Sequence, residues 1–549
     1  MTTPFDPRAP QPPDMNDAPT VRFPAPAVAQ GMEPPPQAPR RRGVSRRAVL
    51  IGAAGSAVGL GAVGAGAGYA LSHLPGLFSH DTVFSADAGK ITHLLRRAGF
   101  GPSPADLSVY LDLGVSGAID RLINYSSVAN DVDQRLASFN FQFNTRANLI
   151  RWWLARMTLT QRPLEEKMTL FWHGVLTSSF AKIGKSANLP LMIQQNTLLR
   201  THAMGRFDDL IRAISTDPAM LFWLDGRFNA GSRPNENYSR ELMELFTLGI
   251  GNYTQDDVHA GAKALSGWVV RNGQSVFAPR RFYEGTITYL GHTGHLGLDD
   301  VVSIVCAHPA TAGHLARLMW SFFVYDNPSQ ADVQPLVDAY HQSDHQIGAM
   351  VKAMFNAPAF FSEKAYRGRV KSPAEFVVGA VRALGLAPTV PVLTVMGQAM
   401  ANMGQTLFDP PNVAGWPGDK LSTAWMSTQV WITRVNFINL LLEAATGALR
   451  NRGAAATSAS ASALQAIMTA QRIGKPDDLI NYFIALLLDN QVASDRTAVL
   501  RGALTSATSA ASATSAGPTL SFVGGATLSA AAAREALYLL MSMPEYQMN

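Results

Sequence analysis

The sequence predicts a mainly α protein, a multi-helix globular body with few or no strands. Three observations predict it. Apolar residues recur at helical spacing in segment after segment from residue 88 to 445. Helix-start signals punctuate those segments, a Ser, Thr or Asp standing directly before Pro or before a capping-box acid. Strand signals are sparse: GQSVFAPRRFYEGTITYLG (273–291) reads as a short hairpin or extended excursion.

The chain has 549 residues, of which 47% are hydrophobic, enough for a large core and a length typical of two to four domains. Residues 1–39 hold twelve of the 33 prolines. They have too little apolar surface to offset ordering and read as a disordered tail. Residues 40–74 follow with Ser45-Arg46-Arg47-Ala48-Val49-Leu50 and an uncharged Gly/Ala-rich run from Ala48 to Leu71. Paired arginines before such a run resemble a twin-arginine export signal. The other reading is a membrane anchor, since 24 uncharged residues can span a bilayer. The many glycines favour the signal. Either way the basic flank stays cytoplasmic and the body is exported, to the periplasm or cell envelope.

Seven arginines against four carboxylates in residues 1–47 account for +3 of the formal +5 charge. The remaining +2 leaves no basic surface for nucleic acid. A membrane contact is expected only through the N-terminal segment. Cys306 is the single cysteine, so no intrachain disulfide forms. Its neighbours, VVSIVCAHP, are mostly apolar, as for a buried structural thiol. There is no P-loop, GxSxG elbow, post-strand GxGxxG or CxxC, which removes support for the chemistries those motifs carry.

The helical core domain is placed at 88–450. Ser103 caps a helix opening at Pro104, and Asp217 caps one opening at Pro218. Thr254-Gln-Asp-Asp257 is a near capping box, and Ser372-Pro373 opens AEFVVGAVRALG. Residues 451–463 and 503–530 are Ala/Ser/Thr-rich and read as flexible segments. Residues 464–502 and 531–549 read as C-terminal helices that pack on the core, the last ending before Pro544.

One stretch is unusually charged. RPNENYSRELMELFTLGIGNYTQDD (233–257) carries Glu236, Arg240, Glu241 and Glu244 within nine residues. On a helical wheel Glu236, Asn237, Arg240, Glu244 and Thr247 share one face. Tyr238, Leu242, Leu245 and Phe246 lie opposite, with Glu241 at the border. Glu236–Arg240–Glu244 is then an i, i+4, i+8 ladder of alternating charge. Asn235 is placed to cap the helix, and Gly249 and Gly251 to stop it. Spacing alone leaves two readings open: a solvated ladder of weak pairs, or carboxylates that face a cleft as acid/base groups or metal ligands.

Three further segments draw notice. LEEKMTLFWHGVLTSSF (164–180) sets Glu166 and His173 two turns apart, a spacing that suits a metal pair or a satisfied core histidine. GHTGHLGLDDVV offers His292, His295, Asp299 and Asp300, read as a polar loop in which one aspartate caps the next helix. His308 and His314 follow without an evident partner. FDPPNVAGWPGDKLSTAW (408–425) is dense in Pro, Gly and Trp; Trp416 and Trp425 would wall a pocket or cover core.

Several strings together resemble a bacterial family described as domain of unknown function 1800. They are HLLRRAGFGPSPADL (93–107), EKMTLFWHG (166–174), RPNENYSRELMELFTLGIGNYTQDDV (233–258), KALSGW (263–268), KSPAEFVVGAVRALG (371–385), FDPPNVAGWPG (408–418) and LYLLMSMPEYQ (537–547). The resemblance implies an exported, mainly helical protein and no particular reaction. Members often read Trp-His-x-His where this chain reads Trp172-His173-Gly174-Val175.

Two functions are carried forward. The first is a hydrolase-like enzyme with Glu241 and Glu244 as candidate bases, Arg240 and His173 in the same polar cleft, and Asn235, Asn237, Trp416 and Trp425 contacting substrate. His173 and Glu236 would be the metal ligands, with a divalent metal as the cofactor class. The second is a non-catalytic cell-envelope binding or scaffold protein, with the charged helix as a buried network.

Overall fold

Helix-start chemistry organises the molecule. In the computed structural model, which describes residues 84, 86–184, 186–446, 463–510 and 519–549, all four expected caps form. Ser103, Thr254 and Ser372 each close a reciprocal capping box, with Asp106, Asp257 and Glu375. Asp217 accepts from the Met220 amide at 2.8 Å. The Pro-rich tail and the twin-arginine segment lie outside the described residues, as does the first Ala/Ser/Thr-rich segment up to residue 462.

Among the described residues there are 24 α-helices and three two-stranded antiparallel hairpins. They lie in one compact unit. The hairpins are small. Trp268–Arg271 pairs with Gln274–Phe277, Ile287–Tyr289 with His292–Gly294, and Thr519–Ser521 with Thr527–Ser529. The expected 273–291 excursion is therefore two hairpins joined by a short 3-10 turn at Pro279–Arg281. No described helix is long and apolar enough to cross a membrane.

Apolar faces from every part of the body merge into one core. It includes Trp153, Trp172, Phe207, Met243, Cys306, Trp320, Phe376, Leu442 and Leu537, each essentially inaccessible to solvent. Burial raises the Cys306 thiol pKa well above its usual range, in keeping with a structural thiol. Within 503–530, residues up to 510 continue helix Ser494–Ala510 and residues from 519 form the last hairpin; residues 511–518 lie outside the described ones. Leu500, Ala503, Leu504, Leu520 and Leu528 are buried.

The C-terminal helix Ala530–Met541 buries Ala532, Ala533, Ala536, Leu537 and Leu540. Beyond it the backbone joins the core by Lys371 N to Gln547 O (2.9 Å) and Asn549 N to Arg369 O (2.7 Å).

The helix Pro163–Val175 lies at the centre and is buried along nearly its whole length. Burying Glu166 and Lys167 there requires partners. Glu166 accepts from Arg156 Nε (2.7 Å), from Arg200 Nε and Nη2 (2.7 and 2.8 Å) and from the Trp153 indole (3.0 Å). Burial pushes its carboxyl upward, but the two guanidinium groups win and hold it below the usual range. Lys167 pairs with Glu375, and Arg96 with Asp489.

Candidate functional site

The charged signature segment opens on a pinned turn. Asn229 accepts from the Asn235 amide (2.9 Å) and donates to Ala262 O (2.8 Å), tying the segment to the helix Gln255–Ala264. Asn235 then caps the next helix by accepting from the Asn237 amide (3.0 Å). That helix runs only from Asn237 to Glu241. From Leu242 to Thr247 the chain is a π-helix, one residue wider per turn. Gly249 and Gly251, both with positive φ, end it.

The wide turn breaks the expected ladder. Glu236 and Arg240 pair at 3.1 Å, and Glu236 also accepts from Gln255 (2.8 Å) and meets His259 (3.3 Å). The Glu236 and Arg240 side chains are 34% and 37% exposed, so solvent screens the pair. Glu244 is rotated off this line and accepts from the Tyr253 hydroxyl instead. Glu241 is part-buried, and burial with the nearby Glu244 raises its pKa.

His173 is not part of this cluster. It has no hydrogen bond or ion pair to Glu236, Glu241 or Glu244. Its ring sits edge-on among Trp153, Trp416 and Phe408 at centroid distances of 5.3–5.7 Å. Burial alone lowers its pKa to about 3, so the ring is neutral, and Nε2 has no partner. Glu166 is consumed by Arg156 and Arg200 and is no metal partner for it. The paired ligands His173 and Glu236 thus belong to separate environments, apolar core and solvated surface. Among the described residues no group of three His, Cys, Asp or Glu side chains is placed to hold a metal ion. Trp416 and Trp425 are 1% and 3% exposed and pack with Val370, so their indoles cover core and wall no open pocket. Asn237 is exposed at the start of its helix, its backbone amide donating to the Asn235 side chain.

A different set of residues surrounds a cavity of about 50 Å³. That is room for a few water-sized groups. Helix Pro163–Val175 gives it Phe171, Gly174 and Val175; the π-turn gives Leu245. Helix Pro309–Phe323 gives His314, Leu318 and Phe322, and the Pro/Gly/Trp-rich loop gives Val413, Ala414, Asp419 and Lys420. His314 Nε2 donates to Leu245 O at 2.9 Å, one of the carbonyls left over near the helix end. That bond leaves Nδ1 as the free acceptor on the ring. Gly249 must be glycine here: a Cβ would come within 2.9 Å of Nδ1, at a φ of +81°.

Asp419 is the reactive-looking group. It is part-buried, and its Oδ1 is sealed from solvent without a hydrogen-bond partner. Its other oxygen lies where Gly174 presents no side chain; a Cβ there would be 2.7 Å away. Burial raises its pKa to about 7, against the lowering pull of Arg369, Lys167 and Lys420. Lys420 reaches solvent beside it, its pKa lowered by partial burial of the ammonium.

Asp217 is the control. Burial raises it to about 7 as well. Yet its carboxyl accepts from Met220 N and from Gln195 Nε2 (2.7 Å), and it caps a helix. The Asp217 carboxyl is engaged as a helix cap and by an amide donor, which is a structural role; Asp419 combines the same raised pKa with an oxygen that has no partner, at a cavity.

The profile of the family described as "Protein of unknown function (DUF1800)" matches residues 93–548. The chain belongs to this family. No curated protein and no solved structure matches it. Three DUF1800-like strings meet at the cavity: EKMTLFWHG through Phe171 and Gly174, the 233–258 string through Leu245, and FDPPNVAGWPG through Val413 and Ala414. Val175, where the resemblance places a second histidine in many DUF1800 members, lines the same wall. Asp419 was not singled out from sequence, and His314 was noted there only as a histidine without an evident partner. The available signal was that Asp419-Lys420 is the only adjacent charged pair in the 408–425 stretch.

Proposed function

We propose that this DUF1800 protein is an acid–base enzyme of hydrolytic type, working outside the cytoplasm, with its reacting centre at the Asp419 cavity. The observation that carries this is the carboxyl with an unused oxygen beside a cavity. A pKa of about 7 supports it, because such a group gives and takes protons equally well near neutrality. In the proposed step, ionised Asp419 takes a proton from a water in the cavity. The water oxygen adds to an electrophilic carbonyl or phosphoryl centre. Asp419 then returns the proton to the departing group. Lys420 at the mouth balances the negative charge that develops. The small volume admits only the reacting end of a substrate.

The test is hydrolysis of chromogenic carboxylic esters, phosphate esters and glycosides by the intact chain. Turnover is expected in one panel, falling at least about 100-fold in Asp419→Asn with unchanged melting. Turnover that survives Asp419→Asn displaces the reacting centre from this cavity. Export is supported by the Arg46-Arg47 pattern; replacing both by Lys should retain the protein in the cytoplasm.

A second reading is a non-catalytic envelope binding protein. It draws on the open Glu236–Arg240–His259 lattice, with Glu241 and Glu244 beside it. No turnover in any panel by a normally melting protein overturns the enzyme reading and leaves this one.

A further inference from the structure

A second, smaller cavity of about 20 Å³ lies far along the chain from the first set of residues. Arg96 reaches its wall from helix Asp87–Arg97 and Phe100 from just beyond it; Gly379 comes from helix Pro373–Ala383, Leu487 from helix Pro476–Leu488, and Tyr546 and Asn549 from the C-terminal segment. Lys371 completes it.

Lys371 is 7% exposed. Its ammonium has three donors and no acceptor among the described residues. It lies 3.9 Å from the centre of the Tyr546 ring, a contact with the π-face that supplies no lone pair. Asn549 Nδ2, also at this wall, is buried without a partner.

The charge acting on it is mostly positive: Arg96, Arg434 and Arg367 repel the ammonium, and one carboxylate, Glu375, attracts it. Glu375 is already paired with Lys167, and Arg96 with Asp489. Arg434 donates to neutral acceptors: Lys371 O (2.6 Å), Trp425 O (3.3 Å) and Gln547 Oε1 (3.3 Å). Burial, then these guanidinium groups, push the Lys371 pKa well below the usual range. A buried ammonium of this kind either loses its proton or acquires a counter-ion.

We propose that this cavity is a binding site for one monatomic anion of chloride size, held by the Lys371 ammonium inside the cationic shell. The volume suits a single such ion and excludes phosphate, sulfate and carboxylates with a side chain. Binding takes up a proton on Lys371, so the site weakens as pH rises.

The test compares thermal melting of the intact chain in sodium chloride and in sodium gluconate at matched ionic strength. Expected is a chloride-specific rise of about 1–2 °C per tenfold chloride above the dissociation constant, larger at pH 6 than at pH 9. Lys371→Met should melt identically in the two salts. Equal responses in wild type overturn the proposal, as does a chloride effect that survives in Lys371→Met. Should that variant not fold, wild-type crystals soaked in bromide decide: an anomalous peak within hydrogen-bonding reach of Lys371 Nζ supports the site, and peaks only on the outer surface overturn it.

Discussion

The two ends of helix Pro163–Val175 treat charge in opposite ways. At its first turns, Glu166 is fully inaccessible and every lone pair is spoken for by Arg156, Arg200 and Trp153. At its last turn, Gly174 leaves room for an Asp419 carboxyl that keeps an oxygen unpaired beside a cavity. The first arrangement is closed and the second open. Burial alone does not separate a structural charge from a reactive one; leftover bonding capacity does.

The closed end should break hardest. Glu166→Ala strands two buried guanidinium groups, and a stability loss of about 3–5 kcal/mol is expected in urea unfolding. A loss below about 1 kcal/mol would mean that the closed end is no more committed than a surface pair. Next comes the steric seam at the open end. Gly174→Ala sets a methyl 2.7 Å from an Asp419 oxygen. It should cost about 1–3 kcal/mol and displace the carboxyl, so turnover drops more than stability alone explains.

A third test uses pH. The folded-state pKa of Asp419 is raised to about 7 from a carboxyl value near 3.8. Its contribution to stability is fully present below about pH 3.8 and is lost as pH rises through 7. Wild type should therefore lose melting temperature relative to Asp419→Asn across that window, with the difference flat above it. Asp217 titrates in both proteins and cancels. A parallel pair of curves would close the open end. The smallest effect belongs to the solvated lattice: Arg240→Ala should change stability by less than about 1 kcal/mol, and less still in high salt.

Much of the fold was legible because helix starts are local. Ser103, Asp217, Thr254 and Ser372 each announce their caps within four residues, and each cap forms. The charged string was legible only as far as Glu241. Its wheel assumes about 3.6 residues per turn, which fails at Leu242, so Glu244 left the ladder for Tyr253. The cavity was legible only as a loop, 408–425, able to line a pocket. Its polar groups, His314, Asp419 and Lys420, stand at no common period, and Gly174 matters for a side chain it lacks. His173 drew notice by residue type, yet three aromatic rings surround it that sequence spacing does not foretell.

The six π-helical residues Leu242–Thr247 carry a consequence of a different kind, one of chain length rather than chemistry. A wide turn behaves as a single-residue insertion absorbed inside a helix. Deleting one residue there should restore ordinary winding and keep the Asn229-pinned entry in register with the Gly249 exit, while it moves the carbonyl that Leu245 offers to His314. Point substitutions that keep the apolar face and a deletion of one residue should both leave entry and exit in register, whereas a further insertion should not.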